Sequence, residues 1–316
     1  MVFTTHVYKY DGSQTLPIDG CVMALGFFDG VHLAHRDLID RGRAEANRLG
    51  LPLGIFTFPT EGGLKAGTKR LYSTDERLVL LEEAGADFTA VIDFASVMTL
   101  TPEEFVSEVL MDRLKCRVAV IGFNFRFGRG ASGDAEALTR LMRERGGDCI
   151  VLDEMKIDGE TVCTTLIRSL LAEGEMERAG SLLGAPYRIS GRVERGNGVG
   201  KGLGFPTVNI PIAPYRVAMR HGVYMTAISV DGVLYKGITN VGTCPTFEER
   251  LPHIEGYILD FDGDLYDKDA VVYFLRFMRD ETRFDSPEAL KMQINIDINT
   301  AINENGDKIW QELGLK

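Results

Sequence analysis

The sequence has few cysteines, no long apolar run, no low-complexity tract and too little positive charge to balance its acids. The five cysteines, Cys21, Cys116, Cys149, Cys163 and Cys244, are odd in number, far apart and never in a Cys-x-x-Cys pair. This excludes a disulfide framework or a closed zinc site and points to a reducing compartment, so a cytoplasmic location is expected. No run approaches the roughly 18 apolar residues of a membrane span, and Met1-Val2-Phe3-Thr4-Thr5-His6 has no basic-then-apolar leader. Neither membrane nor export is expected. With 46 acidic against 35 basic residues the net charge is -11, the wrong sign for gripping a polyanionic duplex over a broad face, so no nucleic-acid partner is expected. Any phosphate ligand has to be held by a local device.

What is present is a folded chain of 316 residues, 45% hydrophobic and 26% charged, long enough for two domains and without an internal repeat. In the first half, short apolar runs at Cys21–Gly26, Leu53–Phe58, Thr89–Phe94, Arg117–Gly122 and Cys149–Leu152 read as buried strands. Amphipathic stretches separate them. One carries Leu38, Ile39, Gly42, Ala46 and Leu49; a second opens with the capping box Ser73-Thr74-Asp75-Glu76; a third opens with Thr101-Pro102-Glu103-Glu104. Strand and helix in alternation predict an α/β domain with a parallel sheet. A helical bridge, Thr165–Leu183, ends in Gly184-Ala185-Pro186, and the domains are placed at 1–184 and 185–316. Beyond it, runs at Tyr187–Glu194, Gly222–Val230, Val233–Val241, Ile254–Asp260 and Ala270–Met278 follow one another across Asp-Gly turns. They predict an antiparallel β-barrel or sandwich, closed by a late helix announced by Ser286-Pro287-Glu288.

Directly after the first strand stands Gly26-Phe27-Phe28-Asp29-Gly30-Val31-His32-Leu33-Ala34-His35. A strand-to-helix turn at the carboxyl edge of a parallel sheet offers free N–H groups and partial positive charge to a phosphate. Two histidines three apart share one face of the first turn and suit neighbouring oxygens of one polyphosphate. A metal held by both with Asp29 is an alternative with suitable donors but no visible fourth. Gly122-Phe123-Asn124-Phe125-Arg126-Phe127-Gly128-Arg129-Gly130 again follows a buried strand and combines flat rings, cations and glycines, as a nucleotide pocket requires. Its bland reading is a surface loop with core phenylalanines. Cys163-Thr164-Thr165-Leu166-Ile167-Arg168 sets hydroxyls ahead of a helix with an arginine one turn inside.

In this order, the His-x-x-His turn, the Gly-x-Asn-Phe-x-Phe-Gly loop and the Thr-Thr-x-Ile-Arg segment resemble the nucleotidyltransferase module of bacterial bifunctional riboflavin kinase/FAD synthetases. The resemblance implies a Rossmann-like fold and transfer of AMP from ATP to FMN. His32 and His35 match its phosphate-binding histidines, Asn124 its Gly-x-Asn position, and Thr165 and Arg168 its ATP-binding element. Gly26, Phe27, Phe28, Asp29, Phe125, Arg126 and Thr164 belong to the same binding segments. Ala34 replaces a glycine of the family pattern, and Phe58-Pro59-Thr60 replaces a Phe-x-Pro-His-Pro type segment.

In the second half, Gly196-Asn197-Gly198-Val199-Gly200-Lys201-Gly202-Leu203-Gly204 fails as a Walker A loop, because Gly202 stands where Ser or Thr is required. It remains a candidate anion nest, with Gly198, Gly200, Lys201 and Gly202 about a phosphate chain. Thr207 and Asn209 alternate on an extended segment, so both oxygens point one way and suit one Mg2+. Glu255 shares a strand face with Tyr257 and Leu259, and a carboxylate beside apolar neighbours has the raised affinity for protons that suits a general base. These segments resemble the riboflavin kinase module of the same family, with Gly204–Asn209 as its Gly-Phe-Pro-Thr-x-Asn and Asn240–Phe247 as its Asn-x-Gly-x-Arg-Pro-Thr-Phe, Cys244 departing from the arginine. The resemblance assigns Glu255 as catalytic base and Arg279, Glu281 and Phe284 to a flavin-side element; Tyr257 stands where histidine is usual. It implies two ATP-dependent steps, riboflavin to FMN and FMN to FAD, with Mg2+ as cofactor, ATP and flavins as the only partners, and a monomer or weak homo-oligomer. The alternatives are a riboflavin kinase with an impaired adenylylating half, and a non-catalytic flavin or nucleotide-binding regulator.

Overall fold

Five-residue runs in which every side chain is buried form the middle of the first sheet: β2 (Cys21–Leu25), β3 (Leu53–Thr57) and β4 (Phe88–Ile92). A computed structural model describes residues 6–60, 68–194, 207–243, 252–259, 261, 263, 265–302 and 310. The chain divides into two compact units, Met1–Thr164 and Thr165–Lys316.

In the first unit β1 (His6–Tyr10), β5 (Cys116–Gly122) and β6 (Asp148–Leu152) complete a parallel sheet in the order β1-β4-β3-β2-β5-β6. Helix α1 (Leu33–Leu49) packs on β2, β3 and β5 through Leu38, Ile39 and Ala46. A core cluster that includes Met23, Phe56, Ile92 and Ile121 meets Phe105, Val106, Val109 and Leu110. Those four belong to the π-helical continuation, Phe105–Arg113, of the short α3 (Pro102–Glu104). Both predicted capping boxes form, at Ser73/Glu76 before α2 (Thr74–Glu83) and at Thr101/Glu104 before α3. The edge strand β1 and helix α4 (Ala135–Glu144) are additions to the predicted pattern. A small hairpin, β7 (Lys156–Ile157) and β8 (Glu160–Thr161), follows β6.

The chain order runs outward from β2 in both directions, through β3 and β4 on one side and β5 and β6 on the other. The loops leaving β2 and β5 therefore sit side by side at the switch point, where open α/β sheets bind ligands.

The predicted bridge is two helices, α5 (Thr164–Glu173) and α6 (Met176–Leu183), because Gly174 adopts φ +85°, which ends a helix. The second unit's sheet is antiparallel, ordered β10 (Thr207–Pro211), β13 (Pro252–Ile258), β12 (Val233–Thr243), β11 (Gly222–Val230), β14 (Asp269–Arg279), β9 (Tyr187–Arg192). It curls until the chain just past β9 meets β10, where the Glu194 N–H donates to the Asn209 carbonyl at 2.9 Å. Asp231 and Gly232, at φ +50° and +82°, make the tight β11–β12 turn. Helix α7 (Pro287–Ala301), capped by Ser286, adds Ile298 and Ala301 to an apolar cluster with Met225, Ile238, Leu275 and the fully buried Trp310.

Gly54 of β3 lies directly beside Phe88 of β4, and a Cβ there would come within 2.3 Å of the buried ring. Gly54→Ala is expected to destabilise the first unit by about 1–3 kcal/mol through overpacking, read as a lower denaturant midpoint. An unchanged midpoint would show that the ring is not packed on the backbone of β3.

Candidate active sites

The first site grows from the end of β2. Between Gly26 and His32 the backbone turns left-handed at Phe28 (φ +55°), Gly30 (φ +103°) and Val31 (φ +44°). A β-branched residue in that region costs on the order of 1–2 kcal/mol, so the turn persists only where its surroundings fix it. Four contacts do so. The Leu71 N–H donates to the Asp29 carboxylate (2.9 Å), and the Thr164 hydroxyl donates to the Asp29 carbonyl (2.9 Å). The Phe27 carbonyl accepts from the Thr57 hydroxyl (2.9 Å) and from the Arg77 guanidinium. The Phe27 ring is flanked by two cations, Arg70 at 4.4 Å and Arg77 at 4.5 Å from its centroid.

His32 forms the N-cap of α1 without a side-chain cap bond, and His35 lies one turn on. Their rings stack 3.7 Å apart at 14°, and the Phe28 ring lies 5.0 Å from His35. Both Nδ1 atoms are buried with no hydrogen-bond partner. Burial pushes the His32 pKa down from 6.5 to about 4. Burial, reinforced by His32 and Arg77, holds His35 well below the usual histidine range. At neutral pH the pair is thus uncharged, each imidazole offering one N–H at the entrance to α1.

Gly122–Gly130 leaves the neighbouring β5. Asn124 and Arg126 are exposed, and Arg126 pairs at 3.2 Å with Asp134, the N-cap of α4. Phe127 is buried in the core and Phe125 stacks beside it at 5.9 Å, whereas Phe123 is exposed. The loop is therefore part core, part surface. Thr165 and Arg168 occupy the first turns of α5 and fall in the second unit. Ala34 lies inside α1, where helical backbone makes no demand for glycine. Thr60 anchors its segment, its N–H donating to Thr74 Oγ1 (2.8 Å) and its hydroxyl to the Tyr72 carbonyl (3.1 Å).

The second site lies on one face of the curled sheet. On β13 the buried residues Ile254, Gly256 and Ile258 alternate with half-buried Glu255 and Tyr257. In register, Glu255 stands between Asn209 of β10 and Asn240 of β12, and Thr207 stands opposite Tyr257. The Asn209 amide donates to Thr207 Oγ1 at 3.2 Å, so both side chains share the predicted face. Burial pushes the Glu255 pKa up, with His253 pulling the other way. Asn240 donates to Glu281 Oε1 at 3.2 Å. A Cβ on Gly242 would meet that carboxylate oxygen at 1.9 Å, so the absence of a side chain makes its room. Arg279 is held by Asp297 of α7 through two contacts of 2.9 and 2.7 Å, and Phe284 lies half-buried between β14 and α7. Gly198, Gly200, Lys201, Gly202 and Cys244 lie outside the described residues. Among those described, no cluster of three His, Cys, Asp or Glu is arranged to hold a metal, and the Asp29 carboxylate is engaged by Leu71. Thr207 and Asn209 instead supply neutral hard oxygens, which suit a cation that takes its remaining ligands from phosphates and water.

The sequence reading missed Arg77, Arg70 and the flank of Glu255 by Asn240. Arg77 falls four residues before Leu81, on the apolar stripe of α2, and a charged residue on a buried stripe was the available signal. Below pH 6.5 the unfolded chain takes up a proton that folded His32 refuses until about pH 4. The contribution of His32 is therefore full above pH 6.5 and falls by on the order of 3 kcal/mol as pH drops to 4, and His35 adds to the same limb. His32→Gln is expected to flatten this limb in denaturation curves at pH 7.5 and 5; an equally steep loss in the variant would place the titrating group elsewhere.

Residues 16–166 match the FAD synthetase family model and residues 183–304 the riboflavin kinase model. The Escherichia coli K12 bifunctional riboflavin kinase/FMN adenylyltransferase is 36% identical, covering 90% of this chain and 93% of its own. The Pseudomonas fluorescens protein of the same name is 35% identical over 89% and 92%. A Streptococcus pneumoniae structure titled macrolide-efflux protein superposes with a TM-score of 0.84 at 27% identity, covering 94% of this chain and 99% of that one. Among the described residues of this chain, no helix is long and apolar enough to cross a membrane. The chain belongs to the bifunctional riboflavin kinase/FMN adenylyltransferase family.

Proposed function

We propose that this chain makes both flavin cofactors from riboflavin, phosphorylating it to FMN in the second unit and adenylylating FMN to FAD in the first. The observation that carries the reading is the setting of Glu255, a carboxylate of raised proton affinity between two neutral asparagines on a sheet face. Glu255 takes the proton of the riboflavin 5'-hydroxyl as that oxygen attacks the γ-phosphorus of ATP, and ADP leaves. Thr207 and Asn209 would hold Mg2+, which when bound neutralises phosphate charge. Glu281, Arg279 and Phe284 border the same end of the sheet and serve the flavin side.

In the second step an FMN phosphate oxygen attacks the α-phosphorus of ATP, forming one P–O bond as another breaks and pyrophosphate departs. The nucleophile is already an anion, so the site needs to orient it and stabilise charge without abstracting a proton. His32 and His35 donate N–H to the departing polyphosphate, Asn124 orients the transferring phosphate, and Thr164 contributes to ATP binding. Glu255→Gln is expected to lower FMN formation about 10²–10⁴-fold while FMN is still converted to FAD. His32→Ala is expected to do the reverse, costing FAD formation about 10²–10³-fold with FMN formation retained. Loss of both activities in either variant, or of neither, contradicts the assignment. Because burial raises the Glu255 pKa, the kinase rate is expected to climb with pH along a limb lying above the ordinary carboxylate pKa of 4.5. A rate flat from pH 4.5 upward would remove Glu255 as the base.

A further inference from the structure

We infer that Arg77 is a positioning residue for adenylyl transfer, one that locks the left-handed turn after β2 onto the end of β3 and so sets where His32 and His35 meet the nucleotide. This rests on the adenylyl-transfer reading above. Arg77 is 1% exposed, deeper than any other basic side chain among the described residues of its unit. Its guanidinium donates to the carbonyls of Phe27 and Phe58 and, at 3.0 Å, to the Thr57 hydroxyl. One planar fork thus joins the loop after β2 to the loop after β3, a task the single-pointed ammonium of lysine cannot repeat.

Because a trans peptide sets its C=O and N–H in opposite directions, turning the Phe27 carbonyl toward Arg77 turns the Phe28 N–H away from it. The fork therefore fixes the peptide that precedes the positive-φ run Phe28, Gly30 and Val31. Phe27 is gripped twice, since Arg77 also lies 4.5 Å over its ring. The Thr57 hydroxyl donates to the same carbonyl, but it carries no charge and reaches only one of the two loops.

The charge has a second effect. The titratable and charged groups acting on His35 are His32, stacked on it from the same turn of α1, and Arg77 from α2. Both disfavour its protonation. Arg77 therefore helps keep His35 neutral, with a single N–H to donate.

Arg77→Met removes fork and charge; Arg77→Lys keeps the charge and loses the fork. The kinase unit of the same chain controls for protein amount and ATP, and the dispersion of the first unit's methyl NMR signals controls for its folding. FAD formation from FMN and ATP is expected to fall at least tenfold in kcat in both variants, with FMN formation from riboflavin within twofold of the parent. The histidine ring signals of 13C-labelled protein are expected to titrate at higher pH in Arg77→Met than in the parent, and close to the parent in Arg77→Lys. A variant whose first unit unfolds would lose that dispersion and bring its histidines to the unfolded value of about 6.5, so the shift counts only in a variant that keeps the parent's dispersion. FAD formation and titration both unchanged in folded Arg77→Met would overturn the inference. If the parent protein makes no FAD, the adenylyl-transfer reading fails, and the titration still decides whether Arg77 acts on the pair.

Discussion

A seven-residue turn at the carboxyl end of β2 has to stay left-handed at a phenylalanine and a valine, and the first unit is arranged around holding it. Neither residue favours that backbone, and released from its partners the turn would relax into a commoner conformation. The restraints come from separate parts of the unit: Thr57 at the end of β3, Leu71 before α2, Arg77 within α2 and Thr164 at the unit's last position. Strain paid at one turn fixes the entry of α1, and that entry brings two imidazoles face to face at 3.7 Å. The parallel sheet behind it, buried on both faces, is what keeps the restraining elements in register.

The second unit solves a related problem by different means. Its chemistry lies along one cross-strand row, Asn209, Glu255, Asn240, on three adjacent strands, with positions set by ladder hydrogen bonds in place of a strained loop. The opposite face of those strands carries the buried Val208, Ile210, Ile254 and Ile258, and on the outer face α7 and Trp310 pack with residues of β11, β12 and β14. A carboxylate held half-buried between neutral amides retains its proton to higher pH than one in water, which is the property a base for an alcohol needs. Arg279 is bound to Asp297, so the end of β14 is fastened to α7 as Glu281 reaches back to Asn240.

Much of this was legible in the residues because the determinants were local. The apolar runs of β2 to β6, the capping boxes at Ser73 and Thr101, the Asp231-Gly232 turn and the Ser286 cap each depend on neighbours within a few positions. So does the His32–His35 pair, a matter of helical spacing. The alternation that set Glu255 apart from Ile254 and Gly256 was equally visible. What was not legible depended on long-range pairing. Asn240 meets Glu255 only through the register of β12 with β13, and Arg77 reaches Phe27 across fifty positions. The break at Gly174 was missed because one glycine inside a helical pattern is commonly tolerated, and here its φ of +85° ends the helix. The departures at Ala34 and Thr60 gain a physical account from the structure: alanine suits helical backbone, and Thr60 is anchored to Thr74 and Tyr72.

The central claim is that one chain carries riboflavin through to FAD. The most direct test is to incubate the purified protein with riboflavin, ATP and Mg2+ and to follow riboflavin, FMN and FAD by chromatography over time. FMN appearing first and FAD accumulating at its expense is the expected course. FMN that rises and is never converted, even when supplied as the starting substrate with fresh ATP, would contradict the account for the first unit. Riboflavin left unchanged would contradict it for the second.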